Sequence, residues 1–370
     1  GAMRIGALTV SDPITFRSPA SGGSITVSGQ LTATDNASIT FDTPSLYLGG
    51  DIISFGLPLV FNSDVILNSN GSLDTTGGGA VASGASITFN GRVDADVASN
   101  DRSLSLNAGS AGAIVFNGVV GGNERPWRVT IQEAGDVTCG VLSVGGFEQV
   151  SGEGTTTFNG AVNADSSFGL QLSGNDFEIN APITVTNGGV TFTNSGVVTI
   201  GGGGDITTQG GSISFSGPVE IAGDVSLSTG SGGGSISFGG SLDGTLSGQE
   251  DITLEAGTGD ITFSGSVGGG TRLGVITIAS AGDVTAGAVS CSSFVQSAGS
   301  GTTTFNGALD TNGAGGIDLN GTGFTFNAGV TTTNGGGVTI TNSGTLTIGS
   351  SGDMTLDGAF TQDGTGSVST

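Results

Sequence analysis

Gly154-Thr-Thr-Thr-Phe-Asn-Gly-Ala161 recurs letter for letter at Gly301–Ala308, 147 residues further along a chain of 370. The neighbourhoods agree at the same offset. AGDVT stands at Ala134–Thr138 and again at Ala281–Thr285, Ile131 answers to Ile278, Phe147 to Phe294 and Gln149 to Gln296. GLQLSG at Gly169–Gly174 matches GIDLNG at Gly316–Gly321, and TNSG at Thr193–Gly196 returns at Thr341–Gly344 after a one-residue slip. Agreement over this length marks a structural unit used twice. It divides residues 1–370 into a partial copy over 1–84 and fuller copies over 85–231 and 232–370, expected to form one continuous solenoid.

A finer beat runs inside each copy. Short alternating stretches close on Phe-x-Gly: ITFNG at Ile87–Gly91, IVFNG at Ile114–Gly118, TTFNG at Thr156–Gly160 and again at Thr303–Gly307. ISFSG at Ile213–Gly217, ISFGG at Ile236–Gly240 and ITFSG at Ile261–Gly265 continue the series. Gly-Asp pairs open others, as in GDI at Gly50–Ile52, GDV at Gly135–Val137 and GDV at Gly282–Val284. Strict alternation puts the apolar side chains on one strand face and Ser or Thr on the other, so each strand is half buried.

The strands are three to five residues long by this reading, punctuated by Gly, Asn, Asp and Ser. A sandwich needs long antiparallel strands around one closed core, which this beat does not offer. The pattern predicts an all-β, right-handed parallel β-helix (β-solenoid) with two to three short strands per coil of about 20–25 residues. Phe89, Phe116, Phe158, Phe215, Phe238, Phe263 and Phe305 are then inward ladder residues. Asn90, Asn117, Asn159 and Asn306 follow four of them; Asn tolerates left-handed backbone, and its amide can bond to the backbone or to an Asn in the adjoining coil. The Gly-Asp aspartates read as turn-capping oxygens.

Composition narrows the function classes. Gly makes up 74 residues and only 10% are charged, against about 25% in ordinary soluble domains. The formal net charge is −24, with seven Arg and no Lys or His. Such a surface repels phosphate backbones, so nucleic acid is not an expected partner. No apolar run approaches the roughly 20 residues of a membrane-spanning helix, so no transmembrane segment is expected in this fragment. Without His or Lys, no Ser–His pair, Cys–His pair or Schiff-base lysine can form. Cys139 and Cys291 pair with Ala286 and Val144 at the repeat offset and read as small core residues. The opening Gly1-Ala2-Met3 reads as a cloning remnant before an internal slice of a longer protein.

Two stretches depart from the beat. RVDADVASND at Arg92–Asp101 holds the densest acids, and Asp94, Asp96 and Asp101 are the candidate calcium ligands, no cofactor being otherwise expected. NERPWR at Asn123–Arg128 places Arg125, Trp127 and Arg128 on a Pro-containing turn, residue types enriched at binding hot spots. The matching GTRLGV at Gly270–Val275 keeps the first Arg as Arg272 but has Gly274 in place of Trp127. Acids are otherwise scattered, so no catalytic cleft is expected and the chain reads as not an enzyme.

The Gly-Asp-[Ile/Val] beat, the [Ile/Thr]-[Thr/Ser]-Phe-[Asn/Ser]-Gly strands and the Lys-free, Gly/Ser/Thr-rich background resemble the repeat regions of filamentous-haemagglutinin-like adhesins and autotransporter passenger domains. The resemblance covers nearly the whole chain. It implies a structural or adhesive rod segment of a large secreted or surface-displayed bacterial protein, extracellular or on the cell surface. Its partners would be surface glycans or proteins of a host or neighbouring cell, or other copies by end-to-end self-association. The alternatives are a carbohydrate-binding or carbohydrate-active β-helix, and an ice- or mineral-binding solenoid. The threonine runs Thr155–Thr157, Thr302–Thr304 and Thr331–Thr333 raise the last of these.

Overall fold

A computed structural model describes residues 2–18, 22–35 and 37–369. The chain divides into two compact units, Gly1–Ala181 and Pro182–Thr370, and the repeat boundaries at 84 and 231 fall inside them. Each unit is a parallel β-solenoid, and the coils of both together number about 16. The described residues are nearly all strand and turn, with short 3-10 turns at Ala98–Asn100 and Gly230–Gly232.

One coil of the first unit shows the plan. Asp64–Leu67, Gly71–Asp74 and Ile87–Phe89 follow one another along the chain. Each pairs in parallel with the corresponding strand one coil earlier and one coil later: Ile87–Phe89 lies between Leu59–Phe61 and Ile114–Phe116, with inward aliphatic on aliphatic and Phe on Phe. In the second unit Val219–Ala222, Val225–Ser228 and Ile236–Phe238 make the equivalent coil. Register partners lie between 18 residues apart, Leu273 to Cys291, and 33 apart, Gly71 to Leu104, because insertions are absorbed at the turns without disturbing the stacks.

Parallel in-register pairing sets successive coils one strand spacing apart, about 4.8 Å, so a residue at a given inward position meets its counterpart at that distance. Phenylalanine answers this by stacking its rings. Phe16, Phe41, Phe61, Phe89 and Phe116 form one column with centroids 4.8–5.4 Å apart and planes within 20°. Phe192, Phe215, Phe238 and Phe263 repeat it in the second unit at 5.1–5.3 Å. All seven ring positions singled out by the sequence are buried, and Phe16, Phe41, Phe61, Phe192 and Phe326 extend the columns.

Each column is interrupted once, at equivalent places. Cys139 stands between Phe116 and Phe158, and Ala286 between Phe263 and Phe305. In the coil that follows, a second ring enters from the adjacent strand: Phe147 meets Phe158 edge-on at 75°, and Phe294 meets Phe305 at 78°. A core of fixed cross-section accommodates the added ring where the preceding coil supplies a small side chain. This explains why Cys139 behaves as a core residue; Cys291, between Leu273 and Thr311, is a buried inward residue of another column. Burial pushes the Cys139 thiol far up and the Cys291 thiol up to about 12, so both stay protonated and unreactive.

The glycine of Phe-x-Gly has a steric cause. A Cβ on Gly118 would lie 2.1 Å from the Gly91 carbonyl oxygen, and one on Gly265 2.3 Å from that of Gly240. Coil-to-coil contact at this corner is backbone on backbone. Phe158→Ala is therefore expected to destabilise the chain by about 3–5 kcal/mol and Gly118→Ala by at least about 1–3 kcal/mol. The half-exposed Thr157→Ala should leave the denaturant midpoint nearly unchanged in the same unfolding measurements.

Candidate functional site

The polar side chains of the beat bind from coil to coil. Asn117 Nδ2 donates to Asn90 Oδ1 (2.8 Å) and Asn90 Nδ2 to Asn62 Oδ1 (2.7 Å). Asn180 donates to Asn159, and Asn327 to Asn306. The Gly-Asp aspartates, expected to cap their own turns, instead reach one coil onward. Asp136 Oδ1 accepts from Thr155 N (2.9 Å) and Asp283 Oδ1 from Thr302 N (2.7 Å). Asp260 and Asp205 likewise accept from Asp283 N and Ser226 N. The reason is geometric: a turn carboxylate in a stack finds the next coil's N–H within reach, one strand spacing away.

Gln149 and Gln296 went unremarked in the sequence beyond their matching positions, yet both are buried. Each accepts a hydrogen bond at Oε1, from Thr156 Oγ1 (2.8 Å) and Thr303 Oγ1 (2.7 Å). The only signal was that both copies place a Gln seven residues before the middle Thr of the threonine run.

The two irregular stretches meet in the first unit. The loops at 96–102 and 121–128 run side by side, joined by Ala95 N to Glu124 O (2.7 Å) and Trp127 N to Arg102 O (2.8 Å). Asp94 is 5% exposed and turns inward to this seam, accepting from Asn123 N at Oδ1 (3.0 Å) and from Asn123 Nδ2 at Oδ2 (3.1 Å). Asp96 accepts from Arg102 at both oxygens (2.9 and 2.8 Å) and from Asn100. Asp101 lies apart, exposed, with left-handed backbone at φ 50°. The three candidate calcium ligands thus face different partners, and among the described residues no three acids or thiols converge as a metal-holding group.

NERPWR is likewise engaged within the chain. Arg125 pairs with Asp165, and Arg128 pairs with Glu148 while its guanidinium carbon lies 3.8 Å from the centroid of the Phe168 ring. Trp127 is 43% exposed. Arg272, at the place of Arg125, donates to the carboxylate and carbonyl of Asp310 (2.6 and 2.9 Å). The arginines at this corner brace neighbouring coils in both copies.

Beside the seam, the outward face of the first unit holds a groove of about 270 Å3, lined by Tyr47, Ile66, Asp64, Arg92, Asp96 and Asn123 among others. Asp64 accepts from Arg92 N at Oδ1 (3.0 Å) and from Arg92 Nη2 at Oδ2 (2.7 Å). Hydrogen bonds from Arg92 hold the Asp64 carboxyl below its ordinary range, and those from Arg102 hold Asp96 further below, burial opposing both.

Of the threonine runs, Thr302–Thr304 alone contributes to a longer column, through Thr304; Thr157 instead pairs with Thr138 and Glu178, and Thr331 with Asp310 and Thr355. Thr191, Ser214, Ser237, Thr262 and Thr285 stand in register on successive coils of the second unit. Thr304, Thr325, Thr347 and Ser369 continue the outward column without a break. No protein-family model, curated sequence or solved structure matches this chain.

The depressed values give the acid response a sign. A carboxyl whose folded value lies below its unfolded value of 3.8 stabilises above that pH, and the contribution is lost as pH falls through the folded value. Because Trp127 is the chain's one tryptophan and is tied to Arg102, its fluorescence should begin to change as pH falls below about 4 and keep changing down through the folded value of Asp96 as the clamp opens. Asp96→Asn should remove that transition.

Proposed function

We propose that this chain is a structural and adhesive segment of a large bacterial protein, secreted or displayed at the cell surface, serving as stalk or adhesin. The observation that supports this reading most is where the recurring polar groups go. Asn amides and Gly-Asp carboxylates bind the adjoining coil, and stacked apolar side chains line the interior of each unit. Chemistry spent on axial stacking makes a scaffold that resists being pulled apart. The resemblance to filamentous-haemagglutinin-like and autotransporter-passenger repeats agrees with it, as does the scarcity of charged residues.

Optical-tweezers extension from the two termini tests the scaffold role. Coil-by-coil peeling would appear as contour steps of about 70–90 Å. Extension of a whole unit in one low-force step of about 600 Å would contradict it.

A second reading rests on the hydroxyl column from Thr191 to Ser369, a regular outward array that could order water against ice or a mineral lattice. Inhibition of ice recrystallisation, lost in Thr304→Tyr, is its signature; no inhibition by the parent chain would dismiss the ice face.

A further inference from the structure

We infer that the groove bearing Tyr47 in the first unit binds a neutral saccharide. This adds a ligand to the scaffold reading and does not depend on it. Tyr47 is the chain's one tyrosine, and it stands in register with Ile66 on the next coil. Both sit at outward positions of strands whose alternate residues, Leu46 and Leu48, Val65 and Leu67, are fully buried. An outward Tyr beside an outward Ile makes an apolar platform at positions that the beat usually gives to Ser or Thr. The flat C–H face of a pyranose ring packs on such a platform, leaving its hydroxyls at the edge.

Polar groups stand at that edge and are held in place. Asp64 and Asp96 are fixed by Arg92 and Arg102, and Asp94 by both donors of Asn123, so the carboxylates are oriented acceptors for sugar hydroxyls. Arg92 Nη1 lies 4.0 Å from the nearest Asp94 oxygen, beyond hydrogen-bond reach, and remains a donor for a ligand. A concave site with an apolar floor and a few fixed polar groups is what small-molecule recognition requires. Asp64, Asp94, Asp96 and Glu124 outnumber Arg92 and Arg102, which favours a neutral sugar over an acidic one.

The second unit supplies an internal control. There Thr199, Glu220 and Asp243 occupy the register of Tyr47, Ile66 and Asp94. The loop clamp is the same: Gly270 N donates to Asp243 Oδ1 (2.8 Å) as Asn123 N does to Asp94, and Gly274 N to Glu250 O (2.8 Å) as Trp127 N does to Arg102 O. The scaffold therefore closes without Tyr and Ile at these places. Their presence in the first unit is unexplained by stacking and explained by a ligand.

The test is titration of the whole chain with maltohexaose, cellohexaose, mannohexaose and chitohexaose, followed by saturation-transfer and chemical-shift NMR. A hyaluronan hexasaccharide and spermine serve as acidic and cationic comparators. Binding of at least one neutral oligosaccharide is expected, with shifts at Tyr47, Ile66 and Arg92. Tyr47→Thr and Ile66→Glu, which install the second unit's residues, should each weaken it at least tenfold without moving the melting temperature. Binding of none of the four, binding of spermine or hyaluronan alone, or undiminished binding by both variants would overturn the inference. Should a variant fold poorly, the shift map of the parent chain decides, and shifts confined to other faces overturn it.

Discussion

Every residue in a parallel solenoid meets its counterpart one strand spacing away, and the composition of this chain follows from that repetition. At about 4.8 Å, like aromatic rings stack favourably, contributing about 0.5–1.5 kcal/mol per pair beyond their burial. Like amides hydrogen-bond. Like charges repel, by about 1–4 kcal/mol per pair at that range depending on solvent access. A sequence under this constraint accumulates Phe, Ile, Val, Asn, Ser and Thr and sheds charge, which is the composition observed: 10% charged residues, no Lys and no His.

Six of the seven arginines are set against carboxylates. Arg17 with Asp42, Arg92 with Asp64, Arg128 with Glu148 and Arg272 with Asp310 each join different coils. The Gly-Asp carboxylates face backbone N–H groups of the next coil, so their charge is directed at a donor instead of at another acid. Because each coil depends on its neighbours through the same few contacts, an irregularity must be compensated nearby. Cys139 and Ala286, each followed by a coil with two rings, are the clearest instances.

The loops answer to a looser rule. Insertions at 96–102 and 121–128 lie outside the stacks, where length and side chain are free to vary, and they clamp together through the same backbone bonds in both copies. Decoration can therefore change without disturbing the scaffold. The first unit carries Tyr47, Ile66 and Trp127 around its clamp, where the second has Thr199, Glu220 and Gly274.

Sequence alone determined the solenoid, the inward phenylalanines and the burial of both cysteines, because period-two alternation and exact repetition are signals that survive without coordinates. It left the asparagines a choice between backbone and neighbouring-coil partners, which the structure resolved as Asn-to-Asn bonds. It misread the Gly-Asp carboxylates, whose partners lie 19–27 residues away, and passed over the buried Gln149 and Gln296, whose polarity argues for the surface until Thr156 and Thr303 are seen beside them. The column from Thr191 to Ser369 was also illegible, because coils of unequal length hide the register that aligns it. Tertiary structure alone decided that Asp94 and Asp96 turn to different partners beside one groove while Asp101 stands apart, that Arg125 and Arg128 brace the chain, and that Tyr47 and Arg92 line that groove. Those relations depend on which turns the stack brings together, and turn lengths leave no periodic trace in the sequence.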